Sequence, residues 1–139
     1  MPDTLDLALA RKALAAQPFS ALLGARLTAF GDGEATLELD IREELLQQYG
    51  SVHGGVLAYA ADNALAFAAA TVAGTRLVTT GLTIDYLRRA TGEVLRAHAR
   101  VVRAGRTNAV SRCDLTTLDA SGTETLCAVA QGTVAVSRS

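Results

Sequence analysis

One short stretch of the sequence contains residue types that can act on a carbonyl group. His53-Gly54-Gly55 opens a long apolar run, and one acidic residue, Asp62, lies inside that run. If the run is a helix, its first backbone N–H groups lack partners within the helix and carry the positive end of its dipole. Because glycine lets a ligand oxygen approach closely, this turn is a candidate oxyanion hole for an ester or thioester. The other interpretation is that the glycines only make the sharp entry into the helix.

Asp62 is an unusual residue for the middle of an apolar helix. A carboxylate removed from water without a partner costs several kcal/mol, and aspartate is a poor former of helix interiors. Its position therefore indicates a general base or a nucleophile. A structural role is the alternative, in which Asp62 accepts hydrogen bonds from a neighbouring strand or from Asn63.

His53 has two interpretations as well. It can donate a hydrogen bond to a substrate carbonyl, or it can bond only to the backbone of its own loop. His98 is predicted to lie alone on a strand. Because no cluster of cysteine, histidine and carboxylate residues has the spacing of metal ligands, we predict no metal site.

The elements that would position these residues can be predicted from periodicity and from turn residues. The apolar run predicts a helix over residues 54–73, closed by Gly74 and enclosed by the rest of the protein. Residues 1–24 form an N-terminal helical segment, with helices over 5–16 and 18–23. Alternating apolar and polar residues predict six strands, over 25–30, 34–41, 77–87, 94–102, 106–118 and 123–136.

The order of these elements predicts one α+β domain over residues 1–139. The turns between the last four strands are short, so we expect those strands to form an antiparallel meander. A helix that is apolar on all sides must be covered, and a curved antiparallel sheet can wrap it.

Composition excludes several classes of partner. The net charge is −1 and aromatic residues are 4% of the chain, so a nucleic-acid-binding surface is not expected. No export signal or membrane span is recognised, which makes the cytoplasm the expected compartment. Cys113 and Cys127 should then be free thiols. They lie symmetrically about the turn at residues 119–122, which predicts that they are cross-strand neighbours.

Three segments together resemble one known family. The stretch from Gly50 to Asp62, the strand segment 83–88 and the hairpin 101–107 are similar to those of hot-dog-fold acyl-CoA thioesterases of the phenylacetate-pathway (PaaI-like) type. The resemblance implies a hot-dog fold, in which a long central helix is wrapped by a curved antiparallel sheet. It also implies hydrolysis of an acyl-CoA thioester with no cofactor, since coenzyme A is part of the substrate.

The resemblance also implies roles for individual residues. The Gly54 N–H would bind the oxyanion, beside His53, and Asp62 would activate water or attack the thioester. Gln47 stands where the family commonly has asparagine to place the water, and Gln48 is an alternative. A hydroxyl from Thr79 or Thr80 would assist.

Other positions are expected to contact the substrate. Arg88, Arg103 and Arg106 are candidates for the coenzyme A phosphates, because they flank the strand segment and the hairpin. The remaining candidates lie near the helix or could line an acyl pocket; they are Gly55, Asn63, Tyr59, Phe67 and Tyr86.

Two other functions remain open at this stage. The first is a hydratase or dehydratase on the same fold, which would need a histidine facing the carboxylate. The second is a non-catalytic acyl-CoA-binding protein, which would be expected to lack the acid.

The spacing within the helix predicts an oligomer. Gly54 and Asp62 are eight positions apart, or ~12 Å along a helix axis, too far to act on one carbonyl from the same chain. We therefore expect a dimer with shared sites, and the resemblance adds that such dimers often pair into tetramers.

Overall fold

The computed structural model describes residues 5–137 as three helices and six strands. The helices are α1 (Leu7–Ala15), α2 (Pro18–Leu23) and α3 (Gly54–Ala73). The strands are β1 (Arg26–Gly31), β2 (Glu34–Asp40), β3 (Leu77–Tyr86), β4 (Val94–Ala104), β5 (Asn108–Leu118) and β6 (Glu124–Val136). A 3₁₀ turn, Glu43–Leu45, lies in the loop before α3. All six predicted strands are present, with ends shifted by at most two residues.

The six strands form one antiparallel sheet in the order β1-β2-β4-β5-β6-β3. The prediction of a four-strand meander is therefore wrong, because β3 pairs with β6 at the edge and only β4, β5 and β6 form a meander. The segment after β3 crosses the end of the sheet. Leu87 N–H donates to the Cys127 carbonyl of β6, and Glu93 N–H to the Leu118 carbonyl of β5. These bonds satisfy the backbone of the crossing segment.

Alternation along the strands builds the core on the side that faces α3. In β2, the side chains of Ala35, Leu37 and Leu39 are fully buried, and the intervening Thr36 and Glu38 are not. Strand β4 buries Leu95, Ala97 and Ala99 in the same way. Small alanines here and along α3 let the helix lie close to the sheet, which is why a core with few aromatic residues still packs.

Helix α3 is enclosed by its own chain on one side only. Leu57, Ala61 and Leu65 are buried, whereas Ala58 and Asp62, about 100° further round the helix, are half-buried. The prediction of a fully enclosed helix is thus corrected, because a single sheet covers one side of a helix. Within residues 5–137, α3 is the one helix that is long and apolar enough to span a membrane, judged by length and composition only. Half of its most apolar stretch is buried inside the protein.

The N-terminal helices are tied to α3 by a polar network. Ser20 is almost fully buried, and its hydroxyl donates to Gln17 Oε1 at 2.6 Å. The same hydroxyl oxygen accepts hydrogen bonds from Tyr59 Oη at 2.6 Å and from Asn63 Nδ2 at 3.1 Å. These contacts hold α2 beside Tyr59 and Asn63 of α3.

Ser111 offers a test of packing. Its Oγ is buried in β5 and has no hydrogen-bond partner among the described residues. An unsatisfied buried hydroxyl costs free energy, so we expect Ser111→Ala to raise the free energy of unfolding by about 1 kcal/mol in a urea titration. Ser20→Ala is the matched control and should lower it by about 1–3 kcal/mol, because it leaves the Tyr59 hydroxyl without its acceptor. A Ser111→Ala protein less stable than the wild type would contradict this account.

Candidate active site

The start of α3 has the geometry of an anion-binding turn. His53 is the N-cap, and its Nδ1 accepts a hydrogen bond from the Gly55 N–H at 2.8 Å. Gly55 thus uses its amide within the turn and is not a free donor to substrate. Gly54 is the first helical residue, so its own N–H has no carbonyl one turn earlier to bond. Of the two glycines, Gly54 is the one whose amide can meet a ligand oxygen.

His53 is placed as a cap rather than as a partner of the acid. Because Nδ1 accepts from Gly55, the proton of the neutral ring lies on Nε2. Asp62 lies nine residues further along the same helix, roughly 13 Å along the axis. A histidine facing a carboxylate, which a hydratase or dehydratase would need, does not occur at this position within one chain.

Asp62 and Thr79 are brought together by the packing of α3 against β3. Thr79 Oγ1 donates a hydrogen bond of 2.7 Å to Asp62 Oδ1. The hydroxyl orients the carboxylate and occupies one of its oxygens, which leaves Oδ2 for another donor. Thr80 does not join this pair. A β-bulge separates Thr79 from Gly81, and Thr80 is exposed with its hydroxyl directed to the Thr133 carbonyl at 3.3 Å.

The side chains of Gln47 and Asn63 are both hydrogen-bonded to other residues of the protein. Gln47 Nε2 donates to Ser51 Oγ at 2.6 Å, and its Oε1 accepts from the Tyr49 N–H, so the amide braces the loop before α3. Gln48 is exposed. Asn63 turns away from the neighbouring Asp62 to bond Gln17 and Ser20, and the expectation of a substrate contact there is not supported.

The arginines predicted to bind the coenzyme A phosphates lie near opposite ends of β3 within one chain. Arg88 follows β3 directly, and its N–H bonds the Cys127 carbonyl. Arg103 and Arg106 belong to the hairpin between β4 and β5, whose Thr107 carbonyl accepts from Val136 N–H, the residue paired with Leu77 at the start of β3. A single chain therefore does not gather these arginines around one phosphate group.

Three aromatic candidates for an acyl pocket have different surroundings. Phe67 is a core residue, with its ring edge-to-face against Phe30 at 6.4 Å. Tyr59 is half-buried, bonded to Ser20 and packed edge-to-face with Phe19 at 5.3 Å. Tyr86 lies over the start of α3, where its Oη donates to the Gly54 carbonyl at 2.9 Å. The sequence contained no signal for this last contact, since 32 residues separate the two.

The outer face of the sheet carries paired charges. Arg96 bridges Glu38 at 2.8 Å and Glu124 at 2.7 Å, and His98 Nε2 lies 2.7 Å from Glu34. Arg96, His98 and the two glutamates bound to Arg96 border a depression of about 570 Å³ on the side of the sheet away from α3. Within residues 5–137, no group of three or more histidine, cysteine, aspartate or glutamate residues could hold a metal ion.

The two cysteines are free thiols but are not cross-strand neighbours. The β5–β6 turn sets Leu118 opposite Glu124, which would place Cys113 opposite Val129 and not Cys127. A β-bulge at Leu115–Thr116 moves the register by one more residue, so that Cys113 pairs with Ala130. Burial, with a smaller effect of the Asp114 carboxylate, raises the pKa of the Cys113 thiol to about 12.

A thiol titration tests the state of the cysteines. Because the thiolate is the reactive form, Cys113 should not react with Ellman's reagent at pH 8 in the folded protein. Cys127 should not react either, because it is buried and the reagent cannot reach it. Denaturing the unreduced protein should expose both thiols. Finding no thiol after denaturation would show a disulfide and contradict the structure.

A long helix wrapped by an antiparallel sheet with this strand order is the hot-dog fold, as the resemblance implied. The model of the thioesterase superfamily matches residues 49–122, which is more than half of the chain. The chain belongs to the thioesterase superfamily.

Solved structures agree with this assignment. A thioesterase family protein from Silicibacter pomeroyi is 29% identical, covers 91% of this chain and 93% of its own, and has a TM-score of 0.86. A variant of the phenylacetic acid degradation protein PaaI from Thermus thermophilus is also 29% identical, covering 87% of this chain and 100% of its own with a TM-score of 0.77. Zebrafish thioesterase superfamily member 2 is 27% identical, covering 96% and 99% with a TM-score of 0.82. No curated protein matches the sequence. The family and these similar proteins support thioester hydrolysis as the general chemistry.

Proposed function

We propose that this protein hydrolyses acyl-CoA thioesters at two equivalent sites, each built from two subunits. The observation that carries the proposal is the Asp62 carboxylate, which lies on the open face of an apolar helix and is oriented by Thr79 at 2.7 Å. A carboxylate held in this way, with one oxygen still available to a water molecule, has the placement of a general base.

The chemistry follows from these groups. Asp62 takes a proton from water as the water oxygen attacks the thioester carbonyl. The Gly54 N–H of the other subunit donates to the oxyanion that forms. Collapse of the tetrahedral intermediate breaks the C–S bond, and the departing thiolate takes up the proton. The products are a carboxylic acid and free coenzyme A, and no further reactant is consumed.

Two contacts within one chain support the sharing of the site. Tyr86, at the end of β3, touches Gly54, and Thr79, near the start of β3, touches Asp62. Helix α3 and strand β3 are therefore antiparallel neighbours with a fixed register. A two-fold axis that sets Gly54 against the partner subunit's Asp62 must pass midway between these two positions on α3. It must also pass midway between Thr79 and Tyr86 on β3.

That axis meets the molecule at positions suited to an interface. On α3 the midpoint is Ala58, a small half-buried residue on the open face of the helix. On β3 the midpoint lies between Leu82 and Thr83, on a strand whose second edge has no partner strand among residues 5–137. The same rotation would thus pair β3 with its copy in antiparallel fashion. One symmetry operation would give the edge strand a partner and bring Gly54 and Asp62 of different subunits together.

The same axis favours a shared coenzyme A site. It would bring the partner subunit's β4–β5 hairpin, which carries Arg106, to the end of β3 from which Arg88 extends. We assign the phosphates of coenzyme A to these two arginines from different subunits, since guanidinium groups bind phosphate strongly.

The proposal is tested by release of coenzyme A from a panel of aryl-, short-, medium- and long-chain acyl-CoA esters. Thiol release is followed with Ellman's reagent, and the buried cysteines of the protein should add no background. We expect turnover of at least one acyl class. A protein that binds these esters but hydrolyses none of them would leave the non-catalytic acyl-CoA-binding alternative in its place.

A further inference from the structure

Tyr86 makes two separate contacts with the first turn of α3. Its Oη donates a hydrogen bond of 2.9 Å to the Gly54 carbonyl. A Cβ placed on Gly54 would lie 3.3 Å from both the Cζ and Oη atoms of the same ring, which is closer than ordinary van der Waals contact. The ring therefore lies directly against the glycine, although the tyrosine side chain is 53% exposed overall.

These contacts act on the peptide that offers the candidate oxyanion donor. Glycine has more backbone freedom than any other residue, and the first turn of a helix frays readily. His53 holds the turn from one side by binding the Gly55 N–H, and Tyr86 holds it from the other by binding the Gly54 carbonyl. Together they restrict Gly54 while leaving its own N–H directed away from the helix.

We infer that Tyr86 is a positioning residue that fixes the Gly54 amide for the oxyanion and requires glycine at that position. The inference rests on the proposed function, and it adds a residue from β3 to the site. In the proposed dimer, Tyr86 stands opposite the partner subunit's Thr79, so its ring would also border the path of the thioester toward Asp62.

The first test compares Tyr86→Phe with wild type on the best substrate of the panel. Phenylalanine keeps the ring and removes only the hydroxyl. Loss of one oxyanion donor lowers kcat by about 10²–10³-fold. Because Tyr86→Phe keeps the Gly54 amide but fixes it less firmly, we expect kcat to fall ~10-fold and KM to change by less than about twofold. Tyr49→Phe is the control, since the Tyr49 side chain is 74% exposed, and it should leave kcat unchanged. If the wild type is active and Tyr86→Phe has the same kcat, the positioning role of Tyr86 is wrong, whereas the proposed function is unaffected.

The second test uses the close contact between the ring and Gly54. In Gly54→Ala the added methyl group should push the ring away and lower kcat. If Tyr86 acts through Gly54, Gly54→Ala/Tyr86→Ala should be no slower than the slower single variant, whereas independent roles would multiply the two losses.

A readout without catalysis separates this inference from the proposed function. In amide NMR experiments, Tyr86→Phe should shift the Gly54 resonance and lower its backbone order parameter, while Tyr49→Phe should do neither. If the wild type hydrolyses no acyl-CoA, the proposed function fails whatever the spectra show. If Gly54 is unaffected by loss of the hydroxyl, the positioning role fails whatever the activity.

Discussion

Replacing Asp62 with asparagine should lower kcat for acyl-CoA hydrolysis by ~10²–10⁴-fold, the loss typical of a general base. Asparagine keeps the shape of the side chain, and its carbonyl oxygen can still accept the hydrogen bond from Thr79. It cannot take a proton from water. The change should therefore appear in turnover and not in folding, measured by steady-state kinetics alongside thermal melting.

The matched control is Asp114→Asn, which removes a carboxylate from the outer face of β5, away from α3. It should turn over substrate at the wild-type rate. A wild-type kcat in a correctly folded Asp62→Asn protein would remove Asp62 from the mechanism.

Two inactive variants should restore each other when they share a dimer. One carries Asp62→Asn and the other carries Gly54→Val, whose branched side chain must displace the Tyr86 ring from the first turn of α3. In a mixed dimer, one site receives both defects and the other receives an intact Asp62 from one subunit and an intact Gly54 from its partner. Mixed dimers isolated with two affinity tags should have about half of the wild-type activity, because one of two symmetric sites is complete.

The controls are the two variants refolded separately, which should stay inactive. If each site lay within one chain, every subunit of the mixed dimer would carry a defect and no activity would return. Absence of recovery in verified mixed dimers, or full activity in a dilute monomer, would contradict the shared site.

The sequence was most informative where a single local pattern decided the structure. Helix α3 begins and ends as predicted because glycines stand at both ends of a mainly apolar run that contains no proline. The strands predicted over 25–30 and 34–41 are also present as a hairpin; Asp32 and Gly33 both adopt positive φ in its turn, as a tight turn between strands requires.

The sequence was least informative about which elements become neighbours. Alternation assigns the two faces of β3 but says nothing about its partner, so its pairing with β6 was missed. The β-bulge between Thr79 and Gly81 was not predicted, and it gives Thr79 and Thr80 different hydrogen-bond partners. The cysteine pairing failed because the β5–β6 turn sets Leu118 opposite Glu124, a register that already places Cys113 two residues away from Cys127. The hydrogen bonds of Asn63 to Gln17 and Ser20 were also not predicted, because these partners are more than 40 residues away in the sequence.

The position of β3 also has a consequence for biosynthesis. Its first residue, Leu77, pairs with Val136, near the last residue of the chain. During translation the β3 segment must therefore wait without a strand partner until β6 has left the ribosome, and closure of this pairing is the slow, non-local step expected of such a topology. The β3 edge that the proposed dimer would use is therefore complete only after β6 has joined the sheet.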